Sequence, residues 1–164
     1  MSNKMLKAGS TIPSKKVFKL TIAGGLVFWA TTIATSLLPI AAEYRAAYSN
    51  WSIQTVWVTS LFMGMIIGYG VSYILLRYFD TIPSKNPLLK SMILSFIALI
   101  IAVLLIDVPQ SFFGMSNSFD AVYYFLIGVL FNAARFLLLG IVIGYLYNER
   151  THSLVKGEKN EFNQ

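Results

Sequence analysis

Four apolar runs alternate with polar stretches along this chain, at about residues 18–39, 53–76, 88–107 and 121–147. About 20 apolar residues suffice to cross a bilayer as a helix. Lipid offers no partner to an unpaired backbone amide, so each run is expected to be helical. The pattern predicts an all-α fold, a polytopic integral membrane protein built as a four-transmembrane-helix bundle. Residues 1–17 form a basic N-terminal segment, 18–148 the transmembrane domain, and 149–164 a polar tail expected to be disordered. Residues 1–42 also have the basic-then-apolar layout of a signal peptide. Their apolar run is longer than such a segment needs, which favours a retained helix.

Helical periodicity assigns faces within the runs. On the fourth, Tyr124, Gly128, Asn132, Arg135, Leu139 and Val142 share one side, and Ala133, Gly140 and Gly144 the other. On the second, Thr55, Thr59, Ile66, Gly70, Tyr73 and Arg77 lie together, opposite Gly64 and Gly68. Small residues four apart allow close helix contact in lipid. Gly64, Gly68, Gly140 and Gly144 are therefore the predicted packing residues, with the second and fourth helices forming the inner part of the bundle. Contact of these glycines with another subunit is the alternative. The third run is apolar all round after Ser95 and is expected at the periphery. The first carries Thr31, Thr32, Thr35 and Ser36, which either bond their own helix carbonyls or line a small wet cavity. Residues 40–48 read as helix, either continuing the first span past a Pro39 kink or lying along the membrane surface.

A repeat runs through this pattern. "TIPSK" occurs at 11–15 and again at 81–85, each time before an apolar run. Pro39 follows Pro13 by 26 residues, and Pro109 follows Pro83 by 26. The second run contains "GMIIGY" and the fourth "GIVIGY". Together these point to a parallel duplication of a helical hairpin. TIPSK itself reads as a helix-start module: proline suits a first turn, and Thr or Ser beside it can cap.

Charge then sets the orientation. Of 13 Lys and Arg, eleven fall in the N-terminal segment, the link between the second and third runs, and the tail. Those segments share one side if the helices alternate, and the opposite loops hold only Arg45. The positive-inside rule places both termini in the cytoplasm, at the cell membrane. The net charge of +6 is then a topology signal and an attraction to anionic lipid, so membrane lipid is the expected partner and nucleic acid is not. Aromatic residues crowd the other boundary, as an interfacial belt does. Asn50–Ser52 is a glycosylation sequon on that side.

Arg135 is the costly residue. It falls near the middle of its run, where a charge costs at least about 2.5–3.5 kcal/mol and usually marks a partner or a function. Asp107 is the best-placed acid, because helical side chains lean toward their N-termini and these two helices run oppositely. Three readings follow: an Arg135–Asp107 ion pair, an anion site formed by Arg135 with Asn132, or an acid on another protein. In the duplicated alignment Thr59 stands where Arg135 stands.

Enzyme signatures are absent. The chain has no cysteine, a single histidine in the tail, and no HExxH, GxSxG, Walker or GxGxxG motif. No catalytic residue, cofactor or metal is expected. The leading expectation is binding or transport of a small polar or anionic solute, or of a lipid headgroup. The site residues would be Arg135, Asn132, Asp107, Thr59 and Tyr124. Transport by so few helices implies a homo-oligomer or a membrane partner subunit. The alternative is a non-catalytic scaffold or accessory subunit docking through its glycine faces.

Overall fold

A computed structural model of the chain describes residues 14–48, 51–114 and 118–161. Every regular element among them is helical: α1 (Ser14–Ser36), α2 (Pro39–Tyr48), α3 (Ile53–Arg77), a 3-10 turn (Phe79–Thr81), α4 (Pro87–Ala102), a π-helical turn (Val103–Asp107), α5 (Val108–Gly114) and α6 (Ser118–Glu161). Four stretches are long and apolar enough to cross a membrane: Ser14–Ser36, Ile53–Arg77, Pro87–Phe112 and Phe119–Asn148. α6 runs past the fourth apolar run, to Glu161. Residues 149–161 contain no proline to stop the helix that enters them.

The spans form an up-and-down ring. The closest neighbours are α1 with α3, α4 with α6, and α1 with α6; α3 meets α4 only sparsely, and α3 scarcely touches α6. This corrects the expected inner pair, since α1, not α3, lies against α6. The reason is a glycine pair in α1. A Cβ added at Gly24 would sit 2.8 Å from Ile143 Cδ1 of α6, and one at Gly25 would sit 2.6 Å from Met65 Sδ of α3. Adjacent residues point about 100° apart on a helix, so the pair lets one helix approach two others closely. Leu20, Phe28, Val71, Leu75, Leu99, Phe136, Leu139 and Ile143 fill the shared core, with Phe28 edge-on to Phe136 at 5.5 Å.

The four predicted glycines pack inside the chain. Cβ atoms at Gly64 and Gly68 would lie 2.9 Å from Gly25 O and 3.0 Å from Thr21 O of α1. At Gly140 and Gly144 they would lie 2.6 Å from Ser95 Oγ and 2.7 Å from Leu88 Cα of α4. The third span is the most outward-facing, as expected, exposing Phe96, Ile97, Ile100, Ile101 and Leu104.

A proline stands near the far end of both odd-numbered spans. The α1 hydroxyls of Thr31, Thr32, Thr35 and Ser36 all bond carbonyls of the preceding turn. The helix then ends, and Pro39 opens α2 as a first-turn proline. In the third span Pro109 brings no N–H for the carbonyl four residues back and crowds it. Just before it the helix widens, and the Val108 N–H reaches back five residues to Val103 O. That wide turn ends on Asp107, which is 4% exposed while Leu104, Leu105 and Ile106 are open.

The TIPSK copies behave differently. Thr11 to Pro13 fall outside the described residues, and α1 begins at Ser14. The second copy is not itself the helix start. Asn86 caps α4, its side chain accepting the Leu88 N–H at 2.9 Å, and Pro87 takes the first turn. Nearby, Lys90 is 4% exposed, donates to Phe79 O, and holds its Nζ 3.7 Å from the Phe79 ring centroid. Phe79 in turn stacks on Tyr147 at 5.0 Å. This clasp joins the ends of three spans at the basic end of the bundle. Lys90→Met keeps the apolar stem but strands the Phe79 carbonyl. It is expected to lower stability by about 1–3 kcal/mol, measured by SDS-titrated unfolding in mixed micelles.

Candidate functional site

The wide turn at Val103–Asp107 and the middle of α6 bring together three polar side chains. Asn132 and Arg135 are one helical turn apart on α6, so both can reach the same point. Asn132 Nδ2 donates to Asp107 Oδ2 at 2.8 Å, and Arg135 Nη1 donates to Asn132 Oδ1 at 3.2 Å. Of the three readings of Arg135, the direct pair with Asp107 is not formed; a relay joins the two instead. An amide, with a donor at one end and an acceptor at the other, sits between carboxylate and guanidinium. This leaves Arg135 only indirectly neutralised, and its Nε is buried with no hydrogen-bond partner.

The relay forms one wall of a cavity of about 400 Å³ at the aromatic end of the bundle. Thr59, Thr32, Ser60, Gln110, Tyr44 and Trp51 contribute to its lining, along with Phe28, Phe131 and Phe136. Of the predicted site residues, Arg135, Asn132, Asp107 and Thr59 all face it. Tyr124 does not line it. It packs edge-on against Tyr44 at 6.4 Å, and Tyr44 also meets Phe131. A Cβ added at Gly128 would lie 2.7 Å from the Tyr44 hydroxyl, so this small residue gives α2 its seat on α6. Tyr124 therefore helps hold the cavity wall.

A second, smaller cavity of about 160 Å³ adjoins the first, sharing Tyr44, Val56, Gln110, Phe131 and Arg135. It adds Thr35, Ser36 and Arg45. Trp57 Nε1 donates to Ser36 Oγ at 2.9 Å and fastens α3 to the end of α1 beside it. Two guanidinium groups and one carboxylate face the joined space, and the carboxylate already receives Asn132. Glu43 is exposed and lines neither cavity. The lining therefore favours an anion. Sequence reasoning missed Arg45 and Gln110. Arg45 did carry a signal, being the lone basic residue on its side of the bundle; Gln110 carried none. Among the described residues no three His, Cys, Asp or Glu side chains gather as a metal site would need.

No family model, no curated protein and no solved structure matches this chain, so the functional reading rests on the geometry.

Proposed function

We propose that this chain is an integral membrane protein, with both ends cytoplasmic, that binds an anionic group in the Arg135 cavity. The observation that carries this is a half-shielded guanidinium, with Nε unpartnered, facing a cavity of about 400 Å³. Arg45 lines the adjoining space and supplies a second cation on the way in. Asn132 and Asp107 orient Arg135, while Thr59 and Gln110 offer neutral hydrogen-bonding groups. The role is binding or passage, not catalysis, and passage through four helices calls for a second copy or a partner. The duplicated hairpin belongs to this reading. It is supported by each glycine pair packing on the preceding span and by a proline near the far end of both odd spans. A scaffold that docks through Gly64, Gly68, Gly140 and Gly144 is disfavoured, because those positions are filled from within the chain.

The test is isothermal titration of purified protein with inorganic phosphate and with acetate. A charge-assisted hydrogen bond contributes about 1.5–3 kcal/mol, so Arg135→Gln is expected to weaken binding tenfold or more. Arg45→Gln should weaken it less and mainly at low salt, since Arg45 is only half-buried and its charge is partly screened. Unchanged binding in both folded variants would remove the anion site.

A further inference from the structure

The sparse seam between α3 and the third span is not closed. An apolar cleft of about 360 Å³ runs along it, lined only by carbon- and sulfur-bearing side chains and Gly70. On α3 its wall follows Met63, Ile67, Gly70 and Ile74, which repeat every three or four residues and so form one stripe. That stripe is about 16 Å long at 1.5 Å per residue. The opposite wall comes from α4 and the π-helical turn. Gly70 has nothing within 4 Å of where a Cβ would be, and Ile66 beside it is 66% exposed, so the cleft opens sideways between the helices.

The cleft is continuous with the polar cavity. Met63, Ile67, Ala102, Ile106 and Phe136 line both. One end of the joined space presents Arg135, and the other presents hydrocarbon on three turns of two helices. A small hydrophilic solute has no use for the second half. A molecule with an anionic head and a single hydrocarbon tail uses both: head against Arg135, tail along Ile67 and Gly70 toward the basic end. Such a ligand reaches the cavity sideways from lipid through the seam.

Resting on the anion site proposed above, we infer that the ligand is a single-chain anionic amphiphile. Its tail occupies the α3–α4 cleft while its headgroup, phosphate or carboxylate, meets Arg135.

The test is calorimetric titration with inorganic phosphate, then methyl, butyl and octyl phosphate, with acetate and octanoate as the carboxylate arm. All are used below their own micelle concentrations in one neutral detergent. Affinity is expected to rise with tail length, by at least tenfold from methyl to octyl phosphate, and in parallel for octanoate over acetate if carboxylate is accepted. Gly70→Phe fills the cleft without a backbone clash. It should abolish the dependence on tail length while leaving inorganic phosphate binding unchanged, which separates the cleft from simple partition into the micelle. Arg135-dependent phosphate binding with no gain from the tail, or an equal gain in Gly70→Phe, overturns the amphiphile and leaves the anion site standing. Loss of a dimer in Gly70→Phe, again with no tail dependence, assigns the seam to a second copy. No anion binding at all removes both proposals.

Discussion

Gly64→Leu or Gly68→Leu is expected to separate the first hairpin and remove about 3 kcal/mol or more of stability, whereas Gly70→Leu on the same helix is neutral or slightly stabilising. The three glycines look alike in sequence, all on α3 within seven positions. Their surroundings differ. At Gly68 a Cβ meets Thr21 O at 3.0 Å and Gly25 N at 3.3 Å. These are backbone atoms of a neighbouring helix, so relief requires the whole helix to move. At Gly64 the nearest atom is Gly25 O at 2.9 Å, with Phe28 Cβ and Cδ1 at 3.1 Å behind it. Close packing is the main force holding helices together in lipid, and α1 would lose its contact with α3 along several turns. At Gly70 nothing lies within 4 Å, so the added side chain meets only open space. There the substitution gains about 0.8–1.0 kcal/mol of helix propensity. SDS-titrated unfolding of the three variants measures the contrast directly. Equal losses at positions 68 and 70 would contradict the packing described for α1 and α3.

What the amino-acid sequence makes legible follows from the range of the forces involved. The spans could be read because hydropathy is a local property, summed over about 20 residues. The glycine faces could be read because a helix fixes the direction of each side chain. Even the meeting of Asp107 with Asn132 and Arg135 was visible, from opposed helix directions and comparable depth. The pairing order of the helices was not. It depends on Gly24 and Gly25, two residues whose value lies in what they touch on other helices. The relay was hidden for a related reason. A direct ion pair and an amide-bridged one satisfy the same depth argument, and side-chain reach alone decides between them. The wide turn before Pro109 also re-aims Asp107 inward, a rotation that regular helical periodicity does not contain. The cleft was the least legible feature, since it exists only because α3 and α4 fail to close.

Asn132→Leu is expected to be as damaging as the loss of either charge, because among the described residues Asn132 is the only hydrogen-bonded link between them. With leucine there, Asp107 loses the amide at 2.8 Å and Arg135 loses its acceptor at 3.2 Å. Removing one partner from a buried charge pair costs about 3–5 kcal/mol, since the other charge stays in a low-dielectric site. Asp107→Leu should fall in that range, and Arg135→Met near its lower end because the cavity is partly open. The charges are opposite, so losing both is a different matter. The pair Arg135→Met and Asp107→Leu, with Asn132→Leu added, replaces the relay by apolar side chains. Its stability should return to within about 1 kcal/mol of the parent, as apolar replacements of buried ion pairs often do. The same triple variant should no longer take up inorganic phosphate. On the proposed anion site, stability and binding would thereby come apart: the relay would serve to hold Arg135 for the ligand, while the bundle stands without it once no charge is left to satisfy. SDS-titrated unfolding of the three single variants and the triple gives the coupling. Losses that simply add, with the triple variant the least stable of all, would mean the three side chains act independently and the bridging amide carries no interaction between the charges.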